Sequence, residues 1–204
     1  MTIVMRKRVF AALMAGITVM ASPAALAEGN PENGRILAYT CLGCHGIDGY
    51  RNAYPSYRVP RLGGQHADYI VAALKTYQSG ERKHGTMGAQ AQTLSNQDMA
   101  DLAAYFSTYN TVDASAAPIA KPGQEKTATC TACHGANGVS QIPMYPVIAG
   151  QHAEYIVHAL EQYRSGERPN PFMTGIAAPL SDADIDALAE FFAAQPGLQT
   201  TAEE

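Results

Sequence analysis

The chain shows no sustained apolar–polar alternation, no apolar run approaching the roughly 20 residues that cross a bilayer, no excess of basic charge, and only four cysteines in 204 residues. Each shortage excludes something. Without a period of two there is no case for a half-buried sheet, and the apolar spacing that is present is helical. The predicted fold class is all-α. The apolar stretch from Val9 to Ala21 has 13 residues. It follows Arg6, Lys7 and Arg8 and precedes Pro23 and the small-residue pattern Ala25-Leu26-Ala27. That is a secretory signal cleaved after Ala27, not a membrane anchor. The expected mature chain, Glu28 to Glu204, is soluble and carries 11 basic and 18 acidic residues, a formal charge of −7. Nucleic acid is excluded as a partner for such a surface, and a basic patch on another protein suits it. The imbalance is uneven. Residues 28–112 hold 7 basic and 7 acidic residues, whereas 119–204 hold 4 and 10. The docking face is therefore expected on the C-terminal half, with Asp182, Asp184 and Asp186 contributing.

The four cysteines form two pairs, Cys41-Leu42-Gly43-Cys44-His45 and Cys130-Thr131-Ala132-Cys133-His134, set 89 residues apart. Cys-x-x-Cys-His is the attachment signature of c-type haem. Two thiols form thioethers to the haem vinyl groups, and the neighbouring imidazole reaches the iron as its proximal ligand. A zinc shared by four thiolates conflicts with the long separation and with the histidine after each pair. A thioredoxin-like redox pair would need a βαβ context that is missing. Disulfides within such short spacings would be poor staples. Export fits covalent haem, because the thiols must meet it outside the reducing cytoplasm. Two covalent haem c groups are predicted, on Cys41 and Cys44 and on Cys130 and Cys133, with His45 and His134 as axial ligands.

The chain is internally duplicated. Pro60 to Phe106 matches Pro146 to Phe192 at a constant offset of 86, with about half the positions identical. Gly64-Gln65-His66-Ala67 answers Gly150-Gln151-His152-Ala153, and Ser79-Gly80-Glu81-Arg82 answers Ser165-Gly166-Glu167-Arg168. A repeat of this length is too long for a solenoid unit and suits a small domain that completes its core around a haem. Asn30-Pro31 opens a first helix running toward Cys41, and its counterpart runs from Gly123 into Cys130. A middle helix spans His66 to Gln78, stopped by Ser79-Gly80. Capping-box patterns at Ser95 and Ser181 open the last helix of each repeat. The boundaries are a signal at 1–27, one domain at 28–110, a linker at 111–120 and a second domain at 121–204.

A six-coordinate haem needs a second axial ligand. Met87 and Met173 occupy one repeat position, each seven residues before the Leu-Ser that opens the last helix. A methionine is more often core filler, but recurrence at equivalent loop positions in two haem-bearing repeats favours ligation. Met99 and Met144 do not recur and read as filler. His84 is a rival ligand in one repeat only, since its counterpart is Asn170. His158 answers Ala72 and reads as surface. His66 and His152 recur at a helix start, as haem-edge or interface residues or simply as solvated positions.

Together these features resemble the cytochrome c4 family, di-haem bacterial proteins built from two tandem cytochrome c domains. The resemblance rests on Cys-x-x-Cys-His-Gly at 41–46 and 130–135, Pro-x-Leu-Gly-Gly-Gln at 60–65, Pro-Val-Ile-Ala-Gly-Gln at 146–151, and the block at 94–106. It covers nearly the whole mature chain. It implies His45 and Met87 on the first iron and His134 and Met173 on the second, with the Pro60 and Pro146 carbonyls accepting the proximal imidazole N–H. It implies close helix crossings at Gly34 and Gly123, packed differently because Tyr39 becomes Ala128. It further implies a periplasmic, non-enzymatic carrier of single electrons from a respiratory donor complex or dehydrogenase to a terminal oxidase. Two other readings share the haem chemistry: a permanent haem subunit of a dehydrogenase, and a di-haem peroxidase with one open iron.

Overall fold

The computed structural model describes residues 28–109 and 113–201. The proposed signal, 1–27, residue 110, part of the linker, 111–112, and residues 202–204 lie outside them. No strand occurs among the described residues, only isolated bridges such as Gly63 with Gln199, so the all-α expectation holds.

The first half runs α1 (Pro31–Leu37), α2 (Tyr39–His45), α3 (Ala67–Ser79), α4 (Gly85–Gln92) and α5 (Asn96–Ser107). The second half runs through a 3₁₀ turn (Gln124–Lys126), then α6 (Ala128–His134), α7 (Ala153–Ser165), α8 (Pro171–Ala177) and α9 (Asp182–Ala193). The termini follow local chemistry. Asn30 caps α1 by accepting the N–H groups of Glu32 and Asn33. Gly80 and Gly166 end α3 and α7 at φ of 78° and 80°, a left-handed conformation that costs glycine little. Complete capping boxes, Ser95 with Asp98 and Ser181 with Asp184, open α5 and α9.

Two expectations change. The first helix is not continuous: Ala38, a turn residue with ψ of −13°, separates α1 from α2, although α-type bonds still run from the Ala38 N–H to Gly34 and from the Leu42 N–H to Ala38. Its counterpart is a 3₁₀ turn followed by α6. The methionine loops are also helical, as α4 and α8.

Each half has its own core. Ala38, Leu42, Ile70, Leu102, Ala103 and Phe106 cluster between α2, α3 and α5, with Cys41 packed against them. Ile156, Leu188, Ala189, Phe191 and Phe192 do the same between α7 and α9, with Cys130 alongside. The first helix crosses the last closely in each half. A Cβ on Gly34 would lie 2.0 Å from the Asp101 carbonyl oxygen, and one on Gly123 would lie 2.3 Å from that of Ala187. Tyr39 is 74% exposed, so it does not distinguish the two crossings. Asp101 does: its side chain is 2% exposed and accepts the Asn30 N–H and the Asn33 and Gln97 side-chain amides, whereas its counterpart is Ala187. Met99 is fully buried filler, as expected, but Met144 is 56% exposed; it sits in the turn-rich segment before Pro146, away from both cores.

The halves pack on one another about a pseudo-two-fold axis. Gln65 pairs with the backbone of Val147, and Gln151 with that of Arg61. Arg82 donates to the Tyr155 hydroxyl at 2.6 Å, and Arg168 to the Tyr69 hydroxyl at 2.8 Å. The chain end returns to the first half, where Gly63 and Gln199 exchange backbone hydrogen bonds.

Candidate haem sites

Each Cys-x-x-Cys-His motif forms a two-turn helix, α2 or α6. Spacing of three puts both thiols of a pair on one helix face, and His45 and His134 are the last helical residues. No disulfide joins the cysteines. Cys41 and Cys130 pack against the two cores, and burial pushes both thiols up.

His45 and His134 are buried at 9% and 8% exposure. Burial holds both imidazoles below their ordinary value, despite a backbone hydrogen bond that favours the charged ring. That bond joins His45 Nδ1 to the Pro60 carbonyl at 2.7 Å and His134 Nδ1 to the Pro146 carbonyl at 2.9 Å. A carbonyl can only accept, so Nδ1 carries the proton and the Nε2 lone pair is left for a metal. The residues therefore fit the prosthetic group that the motif requires: free thiols beside a core, and an imidazole locked in the ligating tautomer.

Met87 and Met173 are half-buried and occupy the third positions of α4 and α8. Here the structure corrects the reading of both as loop residues. His84 Nδ1 accepts the Met87 N–H at 3.2 Å, and Asn170 Oδ1 accepts the Met173 N–H at 3.0 Å. His84 is thus a helix cap, equivalent in role to Asn170, which weakens its rivalry as a ligand. The signal was available in Asn170-Pro171, the same cap-and-proline pair seen at Asn30-Pro31.

The remaining histidines belong to the contact between halves. His66 Nε2 donates to the Ser140 carbonyl at 2.9 Å. His152 is 5% exposed; burial, with Arg61 and Arg58 adding to it, pushes its imidazole down to about 4. Neither is a solvated helix start. His158 is not simply surface either: its ring stacks on Tyr57 at 4.3 Å.

Sequence reasoning passed over Arg82, Arg168, Gln65 and Gln151, although all four lie in the quoted repeat blocks. Their recurrence was the signal, but it gave no hint that each would act across to the other half. Arg82 and Arg168 are 9% and 7% exposed, and each guanidinium lies over a tyrosine ring of its own half, Tyr77 at 4.4 Å and Tyr163 at 4.5 Å. Burial pushes the Tyr163 phenol up to about 12. Burial would also raise the Tyr155 phenol, but the two guanidiniums outweigh it and bring it down to about 8.

The three aspartates expected to meet a basic partner are partly structural. Asp182 pairs with Arg164 at 2.7 Å, and Asp184 pairs with Lys126 while capping α9.

Comparison with known proteins agrees with this geometry. The cytochrome c family model matches twice in tandem, over residues 31–110 and 120–195. The chain is 33% identical to a cytochrome c4 of Azotobacter vinelandii over 88% of this chain and 93% of that protein. It is 30% identical to a thiosulfate dehydrogenase electron acceptor of Thiomonas intermedia, over 93% and 92% of the two chains. The reduced cytochrome c4 of Pseudomonas stutzeri superposes with a TM-score of 0.66 at 32% identity, covering 84% of this chain and all of that one. With these relatives, the paired motifs carry two covalent haem c groups, at Cys41 and Cys44 and at Cys130 and Cys133.

Proposed function

The chain belongs to the cytochrome c family, in its two-domain cytochrome c4 branch, and from that premise we propose that it is a periplasmic carrier of single electrons between a respiratory donor complex or dehydrogenase and a terminal oxidase. It is a di-haem electron-transfer cytochrome. The haems supply one-electron iron redox chemistry when bound. The protein's part is to keep the ligands the same in both redox states.

The observation that carries this reading is the equivalence of the two sites. His45 and His134 have the same tautomer-fixing bond, and Met87 and Met173 the same capped helical position. We assign His45 with Met87 and His134 with Met173 as axial pairs, so that neither iron keeps an open position for a substrate. That favours transfer over a peroxidase-like reaction. Thioether ligation also raises the potential relative to a second nitrogen ligand. A dehydrogenase as electron donor is supported by the relative that serves as an electron acceptor for one. The periplasm is supported by the signal pattern before Glu28, and among the described residues no helix is long and apolar enough to cross a membrane.

Mass spectrometry of exported protein should show two haem additions on a chain starting at Glu28. Oxidised spectra should show the sulfur-to-iron band at both centres. Met87→Ala should leave one haem high-spin or bound to a substitute ligand, with a lower potential. An unaltered spectrum in that variant would remove Met87 from the assignment.

A further inference from the structure

We propose that Gln65 and Gln151 are reciprocal positioning residues, each setting through one peptide group the electronic character of the proximal histidine in the opposite half. The inference rests on the assignment of His45 and His134 as iron ligands. It starts from two peptide planes. The Pro60 carbonyl and the Arg61 N–H belong to one planar unit. The carbonyl accepts His45 Nδ1–H at 2.7 Å, and the N–H donates to Gln151 Oε1 at 2.9 Å. The other half repeats this by pseudo-symmetry. The Pro146 carbonyl accepts His134 Nδ1–H at 2.9 Å, and the Val147 N–H donates to Gln65 Oε1 at 2.9 Å.

Both glutamines are built into place. Each is 5% exposed. Gln151 Nε2 donates to the Arg61 carbonyl at 3.1 Å, and Gln65 Nε2 to the Val147 carbonyl at 2.9 Å. Each Oε1 also accepts the N–H of the following histidine at 3.0 Å, which holds the amide's orientation. The side chains are fully engaged, with their bonds directed into the contact between halves.

Hydrogen bonds in series through an amide reinforce one another in a low-dielectric interior. A donating Arg61 N–H leaves more negative charge on the Pro60 oxygen, which draws harder on the His45 Nδ1 proton. An imidazole with a more strongly held Nδ1–H is a more basic ligand, and a more basic ligand favours ferric iron. Gln151 therefore lowers the potential of the iron bound by His45, although Gln151 lies in the other half. Gln65 does the same for the iron bound by His134. Contact between the halves thereby becomes part of the tuning of both irons.

The test is a crossed pair of variants in the holoprotein, Gln65→Met and Gln151→Met, which keep chain length and volume while removing the amide. Gln151→Met should raise the potential of the His45 haem more than that of the His134 haem, and Gln65→Met should do the reverse. The two haems are followed separately through their methionine methyl resonances. In the fully reduced state the His45 Nδ1–H resonance should move upfield in Gln151→Met and stay put in Gln65→Met. Should a methionine variant fail to fold, Gln151→Glu retains the acceptor oxygen on Arg61 N–H, and its His45 Nδ1–H resonance should hold or move downfield. Equal shifts at both haems, a shift confined to the substituted half, or an upfield move in Gln151→Glu would overturn the proposal. A wrong ligand assignment shows up differently: the unsubstituted protein would then lack the low-spin His/Met spectrum, which a failed relay leaves intact.

Discussion

Asp101→Asn should destabilise the N-terminal half by about 2–4 kcal/mol at neutral pH and leave the C-terminal half nearly untouched. The carboxylate, 2% exposed, accepts the Asn30 N–H at 2.8 Å, the Gln97 amide at 2.8 Å, and the Asn33 amide. These bonds, led by the Asn30 backbone, hold the carboxyl below its ordinary value. They also tie the start of α1 to α5, where Gly34 lets the two helices touch. Asparagine keeps the shape, so no cavity opens. It loses the charge, which reduces three bonds worth about 1.5–3 kcal/mol each to about 0.5–1.5, while the exposed Asn33 amide can turn its oxygen toward the new NH₂. A folded-state value below the unfolded one means that the ionised carboxylate stabilises the protein above the unfolded value of about 3.9 and that this is lost as pH falls through the folded value. The gap between wild type and variant should therefore be full at pH 5 to 7 and close in acid. Urea unfolding at several pH values, with amide exchange to localise the loss to residues 28–109, measures it. A difference below about 1 kcal/mol at pH 7, or one that stays constant into acid, would refute the reasoning.

Gly34→Ala should cost at least the 1–3 kcal/mol typical of overpacking, because its Cβ would meet the Asp101 backbone at 2.0 Å; Gly43→Ala, where nothing lies within 4 Å, should be neutral or mildly stabilising in the same thermal melt. Labelled-tyrosine NMR should find one phenol titrating near pH 8 that Tyr155→Phe removes. Since that value lies below the unfolded one, wild type should gain stability over Tyr155→Phe as pH rises from about 8 toward 10, and a flat difference would count against the guanidinium effect. His84→Ala should cost about 0.5–2 kcal/mol as a lost helix cap, whereas His84→Asn, which copies Asn170, should restore both stability and the Met87 spectrum.

Much of the site was legible because it is local. The cysteine pairs and their histidines lie within five residues, so spacing alone states the chemistry. Caps and stops at Asn30, Ser95, Ser181, Gly80 and Gly166 were readable because a cap is satisfied within one turn. The break at Ala38 was not, since alanine favours helix and nothing local marks it, while the residue is buried in the core with Leu102 and Phe106. Nor was α4 readable: it is glycine-rich, and its cap is a histidine, a residue not usually read that way.

The amino-acid order alone thus specified two haem-binding repeats, their helical class and the caps and stops of their helices, because covalent attachment, capping and periodicity act over a few residues. Only the tertiary structure decided what the repeats do to one another. Gln65 and Gln151 look identical in sequence context, as do Arg82 and Arg168. Their partners lie between 73 and 99 residues away in the chain, and no local rule names them. Burial of one repeat against the other selects those pairs, since each polar group removed from water must find a partner on the opposing surface.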